Sequence, residues 1–156
     1  MLRSIGEFIS EITGGARHPV SFEETDFRLA AAALLVHVAT TDNNFDDAER
    51  AKLAEVLSQR FDLGAEEADE LIESAVRADL EAVDLYQFTS KLNGSIDEEG
   101  RKKIVEMMFQ VAYADGSLSE FEDNIVWRAA DLMHVPSRER VTIRRRVRDE
   151  SAADEN

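Results

Sequence analysis

Two stretches of the chain share one pattern, in which an apolar run is followed by a short acidic segment and then by an amphipathic run. Residues 107–126 read MMFQVAYADGSLSEFEDNIV, and residues 34–53, which lie 73 positions earlier, read LLVHVATTDNNFDDAERAKL. Apolar residues at spacings of three and four predict a helix on each side of both acidic segments. A chain that contains two related helix–turn–helix units is constrained to a largely helical fold.

The rest of the sequence also has helical periodicity. The predicted helices cover residues 2–12, 22–41, 46–61, 65–78, 83–92, 98–114, 120–133 and 137–149. Ser21 and Glu24 form a capping box that would begin the helix of residues 22–41, and Asn93-Gly94 would end the helix of residues 83–92. No long segment shows the alternation of apolar and polar residues that is typical of a β-strand. The sequence predicts an all-α, single-domain bundle of about seven to eight helices.

Size and periodicity also divide the chain into segments. A chain of 156 residues is most often one domain with a single core. Residues 1–20 are interpreted as an N-terminal amphipathic helix and linker, residues 21–150 as the helical domain, and residues 151–156 as a frayed tail. The N-terminal helix would pack on the domain or on a partner subunit. A helix lying on a membrane surface is disfavoured because Arg3 is its single cation.

The net charge of −15, from 33 acidic and 18 basic residues, limits the classes of partner. A field of this sign repels nucleic acid and anionic lipid head groups and attracts cations and basic proteins. Cysteine is absent, which excludes disulfides, thiolate zinc sites and cysteine nucleophiles. No apolar run is long enough to span a bilayer, and the first residues are too polar for a secretory signal. A cytoplasmic protein without membrane insertion is therefore expected.

Charge is distributed unevenly along the chain. Residues 42–100 contain 17 acidic and 5 basic residues, whereas the predicted last helix is rich in arginine. Its arginines are Arg138, Arg140, Arg144, Arg145, Arg146 and Arg148. This helix is expected to present a solvated face that can neutralise the acidic middle, either within the chain or across a dimer. An acidic partner is the alternative, and nucleic acid is disfavoured because no aromatic residues interleave with the arginines.

Acidic side chains stand where the two apolar helices are expected to end. A carboxylate there meets the negative end of the helix dipole, which costs on the order of several tenths of a kcal/mol unless another interaction offsets it. In a structural interpretation, the aspartates accept backbone N–H bonds in Asx-type turns. The other interpretation is a cation site with oxygen ligands for Ca²⁺, Mg²⁺ or Mn²⁺, with Zn²⁺ as a further candidate. The candidate metal ligands are Asp42, Asp46 and Glu49 in the first acidic segment and Asp115 and Glu122 in the second.

An EF-hand calcium loop does not account for these residues. Asp42, Asn44 and Asp46 match its first three ligand positions. However, Asp47 stands where the EF-hand requires glycine, and Leu53 stands where it requires a bidentate glutamate. The second acidic segment departs further from the pattern. If these segments bind a cation, they do so with another geometry.

The two segments ATTDNNFDDAE and AYADGSLSEFE resemble the paired A-x-A-D-G-x-(hydrophobic)-x-x-x-E signature of the tellurite resistance protein TerB and its relatives. The resemblance covers roughly residues 27–135, and the first copy departs from it at Thr41 and Asn43. It implies an all-helical bundle with internal pseudo-two-fold symmetry and an acidic patch that binds divalent metal. It also implies a non-catalytic role in stress-response or membrane-associated signalling assemblies. The acidic positions of the signature correspond to Asp42, Glu49, Asp115 and Glu122.

Sequence signals for catalysis are weak. The histidines His18, His37 and His134 have no spacing typical of metal ligands, and His37 is expected to be a hydrogen-bonded residue in the core or near the surface. No nucleophile elbow and no phosphate-binding glycine motif occurs. The sequence therefore predicts a non-catalytic module that binds a divalent cation or a basic protein partner. A structural or scaffolding protein, forming a homodimer through its N-terminal helix, is the alternative, and an enzyme with carboxylate-bound metal comes third.

Overall fold

The structure is a computed structural model that describes residues 26–41, 45–114 and 116–154. This part of the chain contains seven α-helices and no β-strand, which confirms the all-α prediction. The helices are α1 Phe27–Ala39, α2 Asp47–Phe61, α3 Ala65–Glu81, α4 Tyr86–Ser95, α5 Glu98–Ala112, α6 Glu120–Leu132 and α7 Ser137–Asp154. The predicted N-terminal helix of residues 2–12 lies outside the described residues.

α1 is the central helix of the bundle. Twelve of its 13 residues are buried, and His37 is the half-buried exception. A helix that is apolar around its whole circumference must be surrounded, and α1 contacts each helix from α2 to α6. The four alanines at 30–33 have small side chains, which lets the neighbouring helices approach closely. Within the described ranges, no helix is both long and apolar enough to cross a membrane.

α5 is the second central helix and contacts α1, α2, α6 and α7. Asp97 caps it as predicted, because its Oδ1 accepts a hydrogen bond of 2.9 Å from the backbone N–H of Gly100. Gly100 itself is buried, and a Cβ atom there would lie 3.2 Å from Cβ of Ile96. The predicted core residues of α5 are all buried: Ile104, Val105, Met108, Phe109, Val111 and Ala112.

α1 begins at Phe27, five residues later than residue 22, where its start is predicted. Asp26 is extended, with φ −76° and ψ 124°, and its Oδ1 accepts a hydrogen bond of 2.8 Å from the backbone N–H of Arg28. The same carboxylate binds the Arg28 guanidinium, and both side chains are buried. Ser21 and Glu24 lie outside the described residues. The sequence thus contains two capping signals, and the described helix begins at the second.

α4 differs from the prediction at both ends. It begins at Tyr86, three residues later than expected, and it continues through Asn93-Gly94 to Ser95. The Asn93 side chain donates a hydrogen bond of 2.9 Å to the carbonyl oxygen of Leu132 at the end of α6. This contact between distant parts of the chain offsets the preference of Asn-Gly for a turn.

α7 is longer than predicted and ends at Asp154, five residues beyond residue 149. Most of the predicted frayed tail is therefore helical. Val147 is buried in the core, and the Ser151 hydroxyl donates a hydrogen bond of 3.4 Å to the carbonyl oxygen of Tyr113. These contacts hold the last turns of α7 against the end of α5.

Arginines of α7 form ion pairs with acids on neighbouring helices. Arg144 Nη1 lies 3.3 Å from Asp123 Oδ2 on α6, and Arg146 Nη2 lies 3.3 Å from Glu106 Oε2 on α5. These acids lie outside residues 42–100, which the arginine-rich helix was expected to neutralise. In the described contacts, α7 instead neutralises acids of the C-terminal half of the chain.

Candidate functional site

The first acidic turn joins α1 to α2, and side chains form hydrogen bonds to the backbone at the end of α1 and at the start of α2. Thr40 and Thr41 follow α1, and their hydroxyls donate hydrogen bonds to carbonyl oxygens of its last turn, of 3.0 Å to Val36 and 2.7 Å to His37. Asp46 is the N-cap of α2, as predicted. Residues 42–44, which include the candidate ligand Asp42, lie outside the described residues.

The second acidic turn joins α5 to α6. Gly116 has φ 92°, a left-handed conformation that favours glycine, and its N–H donates a hydrogen bond of 2.9 Å to the carbonyl oxygen of Tyr113. Ser119 and Glu122 form the predicted capping box. Ser119 Oγ accepts from the Glu122 N–H, and Glu122 Oε1 accepts from the Ser119 N–H, both at 3.1 Å. Asp115 lies outside the described residues.

The two turns resemble each other locally. The N-cap residues Asp46 and Ser119 are both extended, with φ and ψ of −84° and 176° and of −75° and 159°. The third residue of each following helix is a buried glutamate, since Glu49 is 5% exposed and Glu122 is 6% exposed. A charged carboxylate at the N-terminus of a helix interacts favourably with the helix dipole. The pseudo-two-fold relation between the complete halves of the chain stays a prediction.

Asp46, Glu49 and Glu122 are the candidate metal ligands that the described residues include. Among the residues that the structure describes, no group of three or more histidine, aspartate or glutamate side chains is close enough together to hold a metal ion. The remaining two candidates, Asp42 and Asp115, belong to the turns outside the described ranges. Cation binding by Asp42, Asp46 and Glu49 at the first turn, and by Asp115 and Glu122 at the second, therefore remains a prediction.

The donor atoms suit a hard divalent cation. All five candidates carry carboxylate oxygens, which Ca²⁺, Mg²⁺ and Mn²⁺ prefer. Two of the carboxylate oxygens already accept capping hydrogen bonds. Asp46 Oδ1 accepts from the Glu49 N–H at 2.8 Å, and Glu122 Oε1 accepts from the Ser119 N–H. An ionised carboxylate has two oxygens and about four acceptor positions, so a capping residue can also ligate a cation. Capping and metal binding are compatible roles for these side chains.

The surroundings of the second turn include the end of α7. Burial raises the pKa of the Tyr113 phenol, while Arg144 and Arg148 of α7 act in the opposite direction. A groove of about 180 Å³ opens beside the turn. It is lined by Lys52, Gln110, Tyr113, Ala114, Glu150 and Ser151, among others. Sequence periodicity does not predict that α7 lines this groove, because residues 151–156 have no strong apolar periodicity.

In the described part of the chain, neither His37 nor His134 belongs to a group of three or more side chains that could hold a metal ion. His37 Nδ1 lies 2.8 Å from Asp79 Oδ1, which confirms the prediction of a hydrogen-bonded residue. His134 follows α6 with φ 61° and is part of its C-terminal turn. His18 lies outside the described residues.

Replacing Ser119 by alanine should lower the free energy of unfolding by about 0.5–2 kcal/mol, because the N–H of Glu122 loses its acceptor. Chemical denaturation measures the change. Ser90→Ala is the matched control, since Ser90 is an exposed residue within α4, where alanine is the better helix former. An equal loss in the two variants would contradict the capping role of Ser119.

Comparison with protein families matches the chain, over residues 28–145, to the model described as tellurite resistance protein TerB. Comparison with curated proteins finds no match, and comparison with solved structures finds none either. The matched residues include both acidic turns and extend from the first turn of α1 into α7. They are 118 of the 156 residues, most of the chain. The chain belongs to the tellurite resistance protein TerB family.

Proposed function

We propose that the chain is a non-catalytic TerB-like module that binds a divalent cation at its acidic turns. The observation that supports this most strongly is the pair of buried glutamates, Glu49 and Glu122, each placed at the third position of the helix that follows an acidic turn. Burying a carboxylate is costly unless hydrogen bonds or a cation compensate it. Asp42, Asp46 and Asp115 would complete the oxygen ligands.

The proposed cation is Ca²⁺, Mg²⁺ or Mn²⁺, with Zn²⁺ as the remaining candidate. The net charge of −15 favours cation binding in general, because it raises the local concentration of positive ions. The same charge would attract a basic protein partner to this surface. A cytoplasmic location and a role in stress-response or signalling assemblies remain part of the proposal.

Scaffolding is the second candidate function, and the capping contacts favour it. Asp46 and the pair Ser119 and Glu122 already satisfy backbone N–H groups at the starts of α2 and α6. In this account the turn acids stabilise helix ends, and the protein acts through contacts with other proteins. The two functions differ in whether the acids bind a metal ion.

Thermal unfolding of the metal-stripped full chain separates the two functions. Each of the four cations is added in turn, and binding to the native state raises Tm by mass action. At a concentration of 100 Kd the stabilisation is about 2.7 kcal/mol, which corresponds to roughly 5–10 °C for a chain of this size. The double variant Asp115→Asn/Glu122→Gln should lose most of this rise.

The choice of variants separates the loss of a metal ligand from the loss of a helix cap. Glutamine also completes a capping box at the third helical position, so Glu122→Gln removes the charge while the cap can be kept. Glu120→Gln removes the same charge from an exposed residue two positions earlier and should retain the full rise in Tm. A flat response to every cation in the unmutated chain would refute metal binding and leave scaffolding as the better account.

A further inference from the structure

Apolar side chains are exposed at the corner where α3 ends and α4 begins. Leu80, Val83 and Tyr86 are 80%, 93% and 63% exposed. They are three of the five exposed large apolar residues in the described ranges, and they fall within seven consecutive positions. We name these three residues the corner patch. Exposed large apolar side chains that lie this close together in the chain point to a surface that another segment or protein covers.

Glu81 and Gln87, the neighbours in sequence of Leu80 and Tyr86, line a groove of about 210 Å³ between α1, α3 and α4. Apolar residues from all three helices line the groove, and charged residues stand beside them. The lining includes Leu29, Ala30, Ala78 and Phe88, with Glu81 and Lys91. Leu29 and Ala30 belong to the first turn of α1, so the groove begins within one helical turn of the point at which residues 1–25 join the described chain.

We propose that the N-terminal segment of the same chain occupies this groove and covers the corner patch. Residues 2–12 have the pattern of an amphipathic helix. Its apolar stripe consists of Leu2, Ile5, Phe8, Ile9 and Ile12. Removing large apolar side chains of this kind from water is favourable, so the stripe favours contact with an apolar surface.

The length of the connecting chain allows this contact. Thirteen residues, 13–25, join the helix to Asp26. Fully extended, they span at most about 45 Å, which exceeds the distance needed to reach a groove that starts at the first turn of α1. A tether of this length keeps the two surfaces at an effective concentration on the order of millimolar. Docking within one chain therefore requires little intrinsic affinity.

The size of the corner patch disfavours a second copy of the chain as the occupant. A stable interface between proteins buries about 800 Å² on each partner. An aromatic side chain supplies about 150–250 Å², and leucine and valine supply less, so the three residues of the patch fall short of that area. A tethered helix avoids most of the entropic cost of association, and a small surface is then sufficient.

Engineered disulfides in the full chain test the proposal, and the natural absence of cysteine makes every introduced thiol unambiguous. The test variant carries Ile9→Cys and Val83→Cys. The control carries Ile9→Cys and Arg145→Cys, because Arg145 is exposed on α7, a helix whose main contacts are with α5 and α6. Mild oxidation is followed on a non-reducing gel.

The proposal predicts an intrachain disulfide in the test variant that forms at least about tenfold faster than in the control. Adding Ile5→Asp to the test variant should abolish this preference, because a charged residue interrupts the apolar stripe. Equal rates in test and control variants would overturn the proposal. Disulfides formed mainly between chains, seen as covalent dimers, would overturn it in favour of a second copy as the occupant. The outcome does not depend on metal binding at the acidic turns.

Discussion

Replacing Phe109 by alanine should lower the free energy of unfolding by about 3–5 kcal/mol. Phe109 is fully buried on α5, the helix that contacts α1, α2, α6 and α7. The substitution removes a large apolar side chain from the core and leaves a cavity, because neighbouring helices relax only in part. An effect of this size is a large fraction of the stability of an ordinary domain.

Phe121→Ala provides the matched control for this substitution. Phe121 is 70% exposed on α6, so the same chemical change should alter the free energy of unfolding by less than about 0.5 kcal/mol. Urea denaturation measures the free energy of unfolding of both variants. The m-value, which is the slope of this free energy against urea concentration, should stay unchanged. Similar losses at the two positions would contradict the packing of α5 at the centre of the bundle.

Replacing Arg60 by methionine should cost about 1–3 kcal/mol, the second largest effect that we expect. Glu106 is a buried carboxylate on α5, and it binds cations from two other helices. Arg60 Nη2 of α2 donates a hydrogen bond of 2.9 Å to Glu106 Oε1, and Arg146 of α7 lies 3.3 Å from Oε2. Methionine keeps the apolar stem of the arginine but removes the donor to Oε1.

Arg148→Met is the corresponding control. Arg148 and Asp149 form an ion pair of 3.4 Å in which the side chains are 58% and 73% exposed. Water screens such pairs, and their contribution to stability is about 0–1 kcal/mol. Urea denaturation should therefore show a clear loss for Arg60→Met and little change for Arg148→Met. The reverse order would show that the buried carboxylate is not a link between α2, α5 and α7.

Local signals predicted most of the fold. The caps formed by Asp46, Asp97 and Ser119 lie within three residues of the N–H groups that they satisfy, so a short window of sequence contains all the necessary information. The central position of α1 follows from its apolar circumference in the same way. The two buried glutamates are placed at the third helical position by the same capping pattern.

Contacts between distant segments account for two of the differences between the predicted and observed helices. Asn93-Gly94 has the local composition of a turn, yet α4 continues because the Asn93 side chain reaches the end of α6. α7 extends beyond its predicted end, where Ser151 contacts the end of α5. The start of α1 was misplaced for a different reason, since both Ser21 and Asp26 are good N-cap residues.

Local sequence patterns predict the acidic residues of the candidate site but not their arrangement in space. The sequence identifies Glu49 and Glu122 as equivalent acids, and the structure places each of them in a buried position next to a turn. Whether the acids of each turn come together around a cation depends on the three-dimensional arrangement of that turn and of the helices beside it. Periodicity and capping signals contain no information about that arrangement.

Equilibrium dialysis of the full chain against Ca²⁺, Mg²⁺, Mn²⁺ and Zn²⁺ tests cation binding at the acidic turns most directly. Four metal-stripped proteins are dialysed side by side, and bound metal is determined by elemental analysis. They are the unmutated chain, the double variant Asp115→Asn/Glu122→Gln, and the single variants Glu120→Gln and Ser119→Ala. We expect saturable binding of at least one cation by the unmutated, Glu120→Gln and Ser119→Ala proteins, and binding weakened about tenfold or more in the double variant. No saturable binding of any cation, or equal binding by the double variant, would contradict the proposed function.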